Sequence, residues 1–113
     1  DRKMRKAFLV TFEKVDAILM PAAPRTAFKH GEISDPTQMY LSDLYTISLN
    51  IAGNGGVSVP LGLGEDSGLP VSAQLVAPAF SDRKLLTIAR ALERAFGSSL
   101  VAPDFAGKGG ELA

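Results

Sequence analysis

The sequence predicts an α/β domain in which helices pack on a sheet that includes an antiparallel hairpin. Two β-like segments, 57–63 and 70–77, flank a short Gly-Glu-Asp-Ser-Gly stretch of turn composition. A parallel pair would need a dozen or more linking residues, so these two close as a hairpin. The segment after Ser81 repeats Leu85, Ile88, Ala89, Leu92 and Phe96 on one helical face, with Arg83, Arg90, Glu93 and Arg94 on the other. At 113 residues the chain is one domain at most, able to bury roughly two thirds of its unfolded surface.

Element by element, Met4, Phe8 and Phe12 recur at helical spacing, with Val15 three further on, and predict a first helix. That helix is under way at residue 1 without a cap or an initiator Met, which suggests a piece of a longer protein. Residues 15–20 (Val-Asp-Ala-Ile-Leu-Met) read as a short strand closed by Pro21 and Pro24, and 22–35 as a loop. Asp35, Pro36 and Gln38 open the next helix as N-cap, first helical residue and capping-box partner. Tyr40, Leu44, Ile47 and Ile51 form its apolar stripe. Asp43, Thr46 and Asn50 lie beside that stripe. Gly53, Gly55 and Gly56 stop the helix. Ser81 is placed to cap the last helix with Phe80 as a hydrophobic staple, and Gly97 ends it. The expected organisation is a folded portion, 1–97, and a flexible tail, 98–113.

Composition narrows the function classes. Twelve basic residues balance twelve acidic ones, so no global field draws the chain to nucleic acid or membrane. The local cluster of Arg2, Lys3, Arg5 and Lys6 reads as a solvated helix face. No apolar run approaches the ~20 residues of a membrane span. The absence of cysteine excludes disulfides, thiolate nucleophiles and Cys-ligated zinc, and fits a reducing, cytoplasmic setting.

Few residues carry chemistry. The one histidine, His30, sits in a Lys-His-Gly-Glu loop, and Gly56-Val-Ser58-Val-Pro60 lacks the second glycine of a nucleophile elbow. One His without Cys offers no transition-metal site. The Gly53–Gly56 run follows a helix and precedes a strand, so it meets the negative end of a helix dipole and makes a C-cap instead of a phosphate cradle. Asp43 stands out as a lone carboxylate among Leu, Tyr and Ile. An unpaired buried carboxylate is costly, so the position invites a reason. Two readings stand at this level: Asp43 binds a cationic group such as an α-ammonium, or it is favoured by the helix dipole or by a distant Arg.

Four blocks carry a resemblance: Asp16 with Pro21, Pro24, Ala27-Phe28 and Gly31-Glu32; Asp35-Pro36 with Met39-Tyr40 and Asp43; Asn50 with Ala52-Gly53, Gly56 and Ser58-Val59-Pro60; and Gly68-Leu69-Pro70 with Gln74. Over roughly 16–97 they resemble the C-terminal part of amidase-signature enzymes, more narrowly the A-subunit family of aspartyl/glutamyl-tRNA(Asn/Gln) amidotransferases. Ser48, where the family often has Pro, Asn54-Gly55, where it usually has Leu-Pro, and Val71-Ser72-Ala73, where its strand often reads Ile-Gly-Leu, depart from it.

The resemblance implies a part of the amidase mixed-sheet fold. It implies a parent subunit that hydrolyses glutamine and passes ammonia to a partner that amidates Glu-tRNA(Gln) or Asp-tRNA(Asn). The implied partners are the B and C subunits of the amidotransferase, with ATP and Mg²⁺ used by the partner subunit. The family's nucleophilic Ser, second Ser and Lys lie in an earlier Gly/Ser-rich region that nothing here matches; the only adjacent serines are Ser98-Ser99. The chain by itself is therefore expected to be inactive, without catalytic or metal-binding residues and with a tendency to self-associate. The family's glutamine-holding Asp falls on Asp43. A general amide hydrolase of the same family and a non-catalytic α/β interaction domain are the alternatives.

Overall fold

The computed structural model describes residues 2–97, so the expected tail at 98–113 lies outside the described residues. Helix α1 (Arg2–Phe12) leads to strand β1 (Ile18–Pro21), helices α2 (Pro36–Leu41) and α3 (Leu44–Ala52), strands β2 (Gly55–Leu63) and β3 (Pro70–Ala77), and helix α4 (Asp82–Phe96). The sheet order is β1-β3-β2, antiparallel throughout. The expected hairpin is present. Its turn closes through Gly64 N–H to the Leu69 carbonyl at 2.8 Å and Gly68 N–H to the Gly64 carbonyl at 2.9 Å.

β3 is the centre of the structure. Residues Ala73 to Ala77 are all buried, which a strand achieves only when both faces are covered. On one face Leu75 and Ala77 join Val59, Leu85 and Ala89, with Val57, Ile88, Leu92 and Ala17 packed around them. On the other, Gly56 and Val76 pair beneath α3. Leu49 of α3 lies so close that a Cβ on Gly56 would sit 3.1 Å from its Cδ2, so β2 carries glycine where the helix comes down on it.

Several elements differ from the sequence-based expectation. The first strand is shorter, because Lys14 and Val15 still donate to the Thr11 carbonyl and prolong the turn after α1. Only Gly53 stops α3; Gly55 and Gly56 belong to β2. Gly53 takes φ 78° and ψ 25°, and Gly53 N–H to Asn50 O and Asn54 N–H to Leu49 O complete a Schellman stop. Arg5 adds Nε–H to the Ala52 carbonyl at 3.3 Å, placing a cation at the end of α3. Gly53→Ala puts a Cβ in the left-handed region, and we expect it to cost about 1–2 kcal/mol, read as a lower urea midpoint at constant m-value.

At α4 the Ser81 side chain makes no capping bond, and only its carbonyl receives Leu85 N–H. Phe80 is fully exposed at φ 65°, so it does not staple the helix as expected. Phe96, expected on the inward face, is also exposed.

The apolar stripe of α2–α3 is largely open: Tyr40, Leu44 and Ile51 are exposed and Ile47 is half-buried, while the buried pair is Leu49 and Ala52. Leu19 of β1 is exposed as well, as expected for faces that have no cover in this chain. Sedimentation of the 113-residue chain should therefore give species heavier than 11.9 kDa, with binding of an apolar-surface dye. A clean monomer that binds no dye would contradict this.

Candidate substrate-binding site around Asp43

The sequence predicts one helix through Asp43, whereas the structure contains two. Asp35 opens α2, its carboxylate accepting Thr37 N–H at 3.0 Å, with Pro36 in the first turn; Gln38 adds no capping-box bond among the described residues. Ser42 then ends α2. Its hydroxyl donates to the Met39 carbonyl at 2.6 Å, a local side-chain bond of the kind that competes with helix propagation. Ser42 (φ −64°, ψ −23°) and Asp43 (φ −98°, ψ 9°) have the dihedrals of a type I turn, and α3 restarts with Asp43 as its N-cap.

Asp43 is therefore exposed at a helix break, not buried on an apolar helix face. The Asp43 carbonyl is well used: Thr46 and Ile47 N–H and the Thr46 hydroxyl all donate to it at 3.1 Å. The carboxylate makes no capping bond. Among the described residues it has no hydrogen-bond or ion-pair partner, so the distant-Arg reading finds no support. A helix N-terminus accommodates negative charge. The main chain around Asp43 is thus held while its charge is left available.

Two depressions flank this break. Ser42 lines a cavity of about 530 Å³ together with Pro21, Ala22, Phe28, Pro70 and Ser72, and Arg25 also contributes to its wall. Thr46 and Asn50, on the other side, line a cleft of about 150 Å³ with Gly56, Ser58 and Gln74. Asp43 lines neither, but sits in the chain between residues that do. The grouping of Asp43, Thr46 and Asn50 survives as a local ladder, since the Asn50 side chain donates to the Thr46 carbonyl at 2.9 Å. His30 is exposed in its loop. No group of three or more His, Asp or Glu side chains among the described residues is placed to hold a metal ion.

Sequence reasoning marked Gln74 as a family motif position but gave it no role in the structure. It is the one buried polar side chain among the described residues, and its Nε2 donates to the Tyr45 carbonyl at 2.9 Å. The signal was present as a single amide within Ala73-Gln74-Leu75-Val76-Ala77.

The family model described as Amidase matches residues 1–86. The glutamyl-tRNA(Gln) amidotransferase A subunit of Oleidesulfovibrio alaskensis is 47% identical over 102 residues, covering 89% of this chain and 21% of that protein. The protein of the same name from Acidothermus cellulolyticus is 48% identical over 90 residues, 79% of this chain and 18% of its own length. The crystal structure of the glutamyl-tRNA(Gln) amidotransferase A subunit from Thermotoga maritima superposes with a TM-score of 0.77 at 44% identity, over 82% of this chain and 20% of that one. The chain spans about a fifth of the length of these relatives. With the family model matched over most of its residues and its α/β framework shared with a solved amidotransferase subunit, the chain belongs to the amidase family.

Proposed function

We propose that this chain is the C-terminal part of the glutaminase subunit of a tRNA-dependent amidotransferase, and that Asp43 holds the α-ammonium of the glutamine substrate. The observation that carries the reading is the identity of 47–48% with proteins named as the A subunit of glutamyl-tRNA(Gln) amidotransferase, over most of the chain. The unpaired carboxylate of Asp43 supports the site assignment. A carboxylate held by its main chain and free at its oxygens can accept charge-assisted hydrogen bonds from an ammonium group, which are short and roughly twice as strong as neutral ones.

In this reading the serine nucleophile and its Ser and Lys partners belong to a part of the subunit outside these 113 residues. Ammonia released from glutamine passes to the B subunit of a heterotrimer that the C subunit completes. There, with ATP and Mg²⁺, it amidates Glu-tRNA(Gln) or Asp-tRNA(Asn) in the cytoplasm.

The test uses the full-length gene product with its partner subunits. Glutamine-dependent conversion of Glu-tRNA(Gln) or Asp-tRNA(Asn) is the expected result. Hydrolysis of simple amides without tRNA amidation would instead identify a general amidase, and no turnover of any amide would identify an interaction domain. The 113-residue chain alone should release no ammonia from glutamine, since nothing in its sequence matches the family's Ser–Ser–Lys apparatus and His30, in its exposed loop, pairs with no nucleophile among the described residues. Glutaminase activity that stays with the chain through successive purification steps would refute this.

A further inference from the structure

The central strand sends one amide into the interior between apolar chain neighbours. Gln74 is 4% exposed, between Ala73 and Leu75, and its cross-strand neighbours are Ser58 on β2 and Met20 on β1. Its Nε2 donates to the Tyr45 carbonyl at 2.9 Å and lies 3.4 Å from Met20 Sδ. A buried amide gives up its water on folding and must regain a partner, so an aliphatic residue would fill this position with less demand on geometry. The amide's distinctive contribution is direction: it ties one particular carbonyl to the middle of the sheet.

That carbonyl is well placed. Tyr45 is the second residue of α3, two positions after Asp43, in the turn that begins at the helix break. The far end of α3 is held separately, by Gly53 and by Arg5 on the Ala52 carbonyl. Ser42 and Asp43 themselves are exposed or only half-buried and make no side-chain bond outside their own helices. Among the described residues, the bond from Gln74 is thus the side-chain tie between the sheet and the first turn of α3, next to Asp43.

Resting on the reading of Asp43 as the ammonium-binding group, we propose that Gln74 is a positioning residue for glutamine binding. It acts through the first turn of α3 and does not touch the substrate. A shift of about 1 Å in a substrate-holding group is enough to cost up to about a hundredfold, so a strand residue buried on the far side of the helix has leverage on affinity.

The test is made in the full-length protein, in complex with its partners. Gln74→Met keeps the volume and removes the donor. It should raise KM for glutamine about tenfold while changing kcat little, and leave ammonia-dependent amidation and the melting temperature near those of the parent. If Gln74 acts only through Asp43, the double variant Asp43→Asn/Gln74→Met should be no worse than Asp43→Asn alone. An additive loss, an unchanged KM, or a parallel fall in ammonia-dependent activity would overturn the proposal. Should Gln74→Met fail to fold, Gln74→Leu, of similar volume and likewise without a donor, takes its place, and failure of both would also overturn it by making Gln74 a requirement of the fold. The two readings separate cleanly. If Asp43→Asn leaves KM unchanged, the ammonium assignment fails; if Asp43→Asn acts and Gln74→Met does not, only the positioning role fails.

Discussion

If Asp43 holds the α-ammonium of glutamine as proposed, Asp43→Asn in the full-length protein should lower kcat/KM for glutamine about ten- to a hundredfold and leave ammonia-dependent amidation running. Asparagine keeps the shape and removes the charge. A hydrogen bond to a charged group is worth roughly 1.5–3 kcal/mol, which corresponds to that range of rate loss. Ammonia added directly bypasses the glutamine site, so a defect confined to substrate holding spares it. The structure makes the substitution a clean probe. The Asp43 carboxylate caps nothing, and the bonds that shape the turn come from its carbonyl, which asparagine retains. A folding defect is therefore not expected, and a melting temperature close to that of the parent is part of the prediction. Loss of both activities with a lowered melting temperature would make Asp43 structural. Loss of neither would leave it an ordinary surface acid.

Leu85→Ala should be the most damaging single change for stability. Leu85 is 4% exposed and belongs to the cluster with Val59, Leu75, Ala77 and Ala89 that joins α4 to the sheet. Truncating a buried leucine removes its transfer free energy and leaves a cavity, at a cost of about 2–5 kcal/mol. Domains commonly have only about 5–15 kcal/mol in total, so the change removes a large share. The neighbouring Leu86→Ala is the control. Leu86 is 59% exposed, and its truncation should fall within about 0.5 kcal/mol of the parent. Urea unfolding of both variants checks the pair: equal midpoints would mean that α4 does not pack as described. By contrast, the Lys84–Asp16 ion pair at 2.6 Å joins two exposed side chains, and its loss should be worth at most about 1 kcal/mol.

Some of this protein is decided by sequence alone. The β2–β3 hairpin follows from a turn too short for a parallel crossover, and that linkage is local. The inward face of α4 at Leu85 and Ala89 follows from one clear stripe, because the helix packs on the sheet from one side. Asp35 with Pro36, and Gly53, mark helix ends because caps depend on the few residues that form them. The motifs around Asp16, Asp43, Gly56 and Gln74 carry the family, and Asp43 is legible as the residue to test. Tertiary structure decided the rest. Whether α2 and α3 form one helix was decided at Ser42 and Asp43, whose N–H groups bond three residues back, to the Met39 and Tyr40 carbonyls, where a continuous α-helix would bond four back. Which face of α2 and α3 is buried depended on which elements pack there: Leu49 and Ala52 meet β2 and α1, while Tyr40 of α2 and Leu44 and Ile51 of α3 are left exposed among the described residues. Gly55 and Gly56 read as helix stops from sequence, yet they are strand residues, and Gly56 is kept small by Leu49 of α3 folding back over β2. Gln74 became meaningful only when folding brought β3 beneath Tyr45, 29 positions away, since a hydrogen bond between remote residues has no local pattern from which to read it.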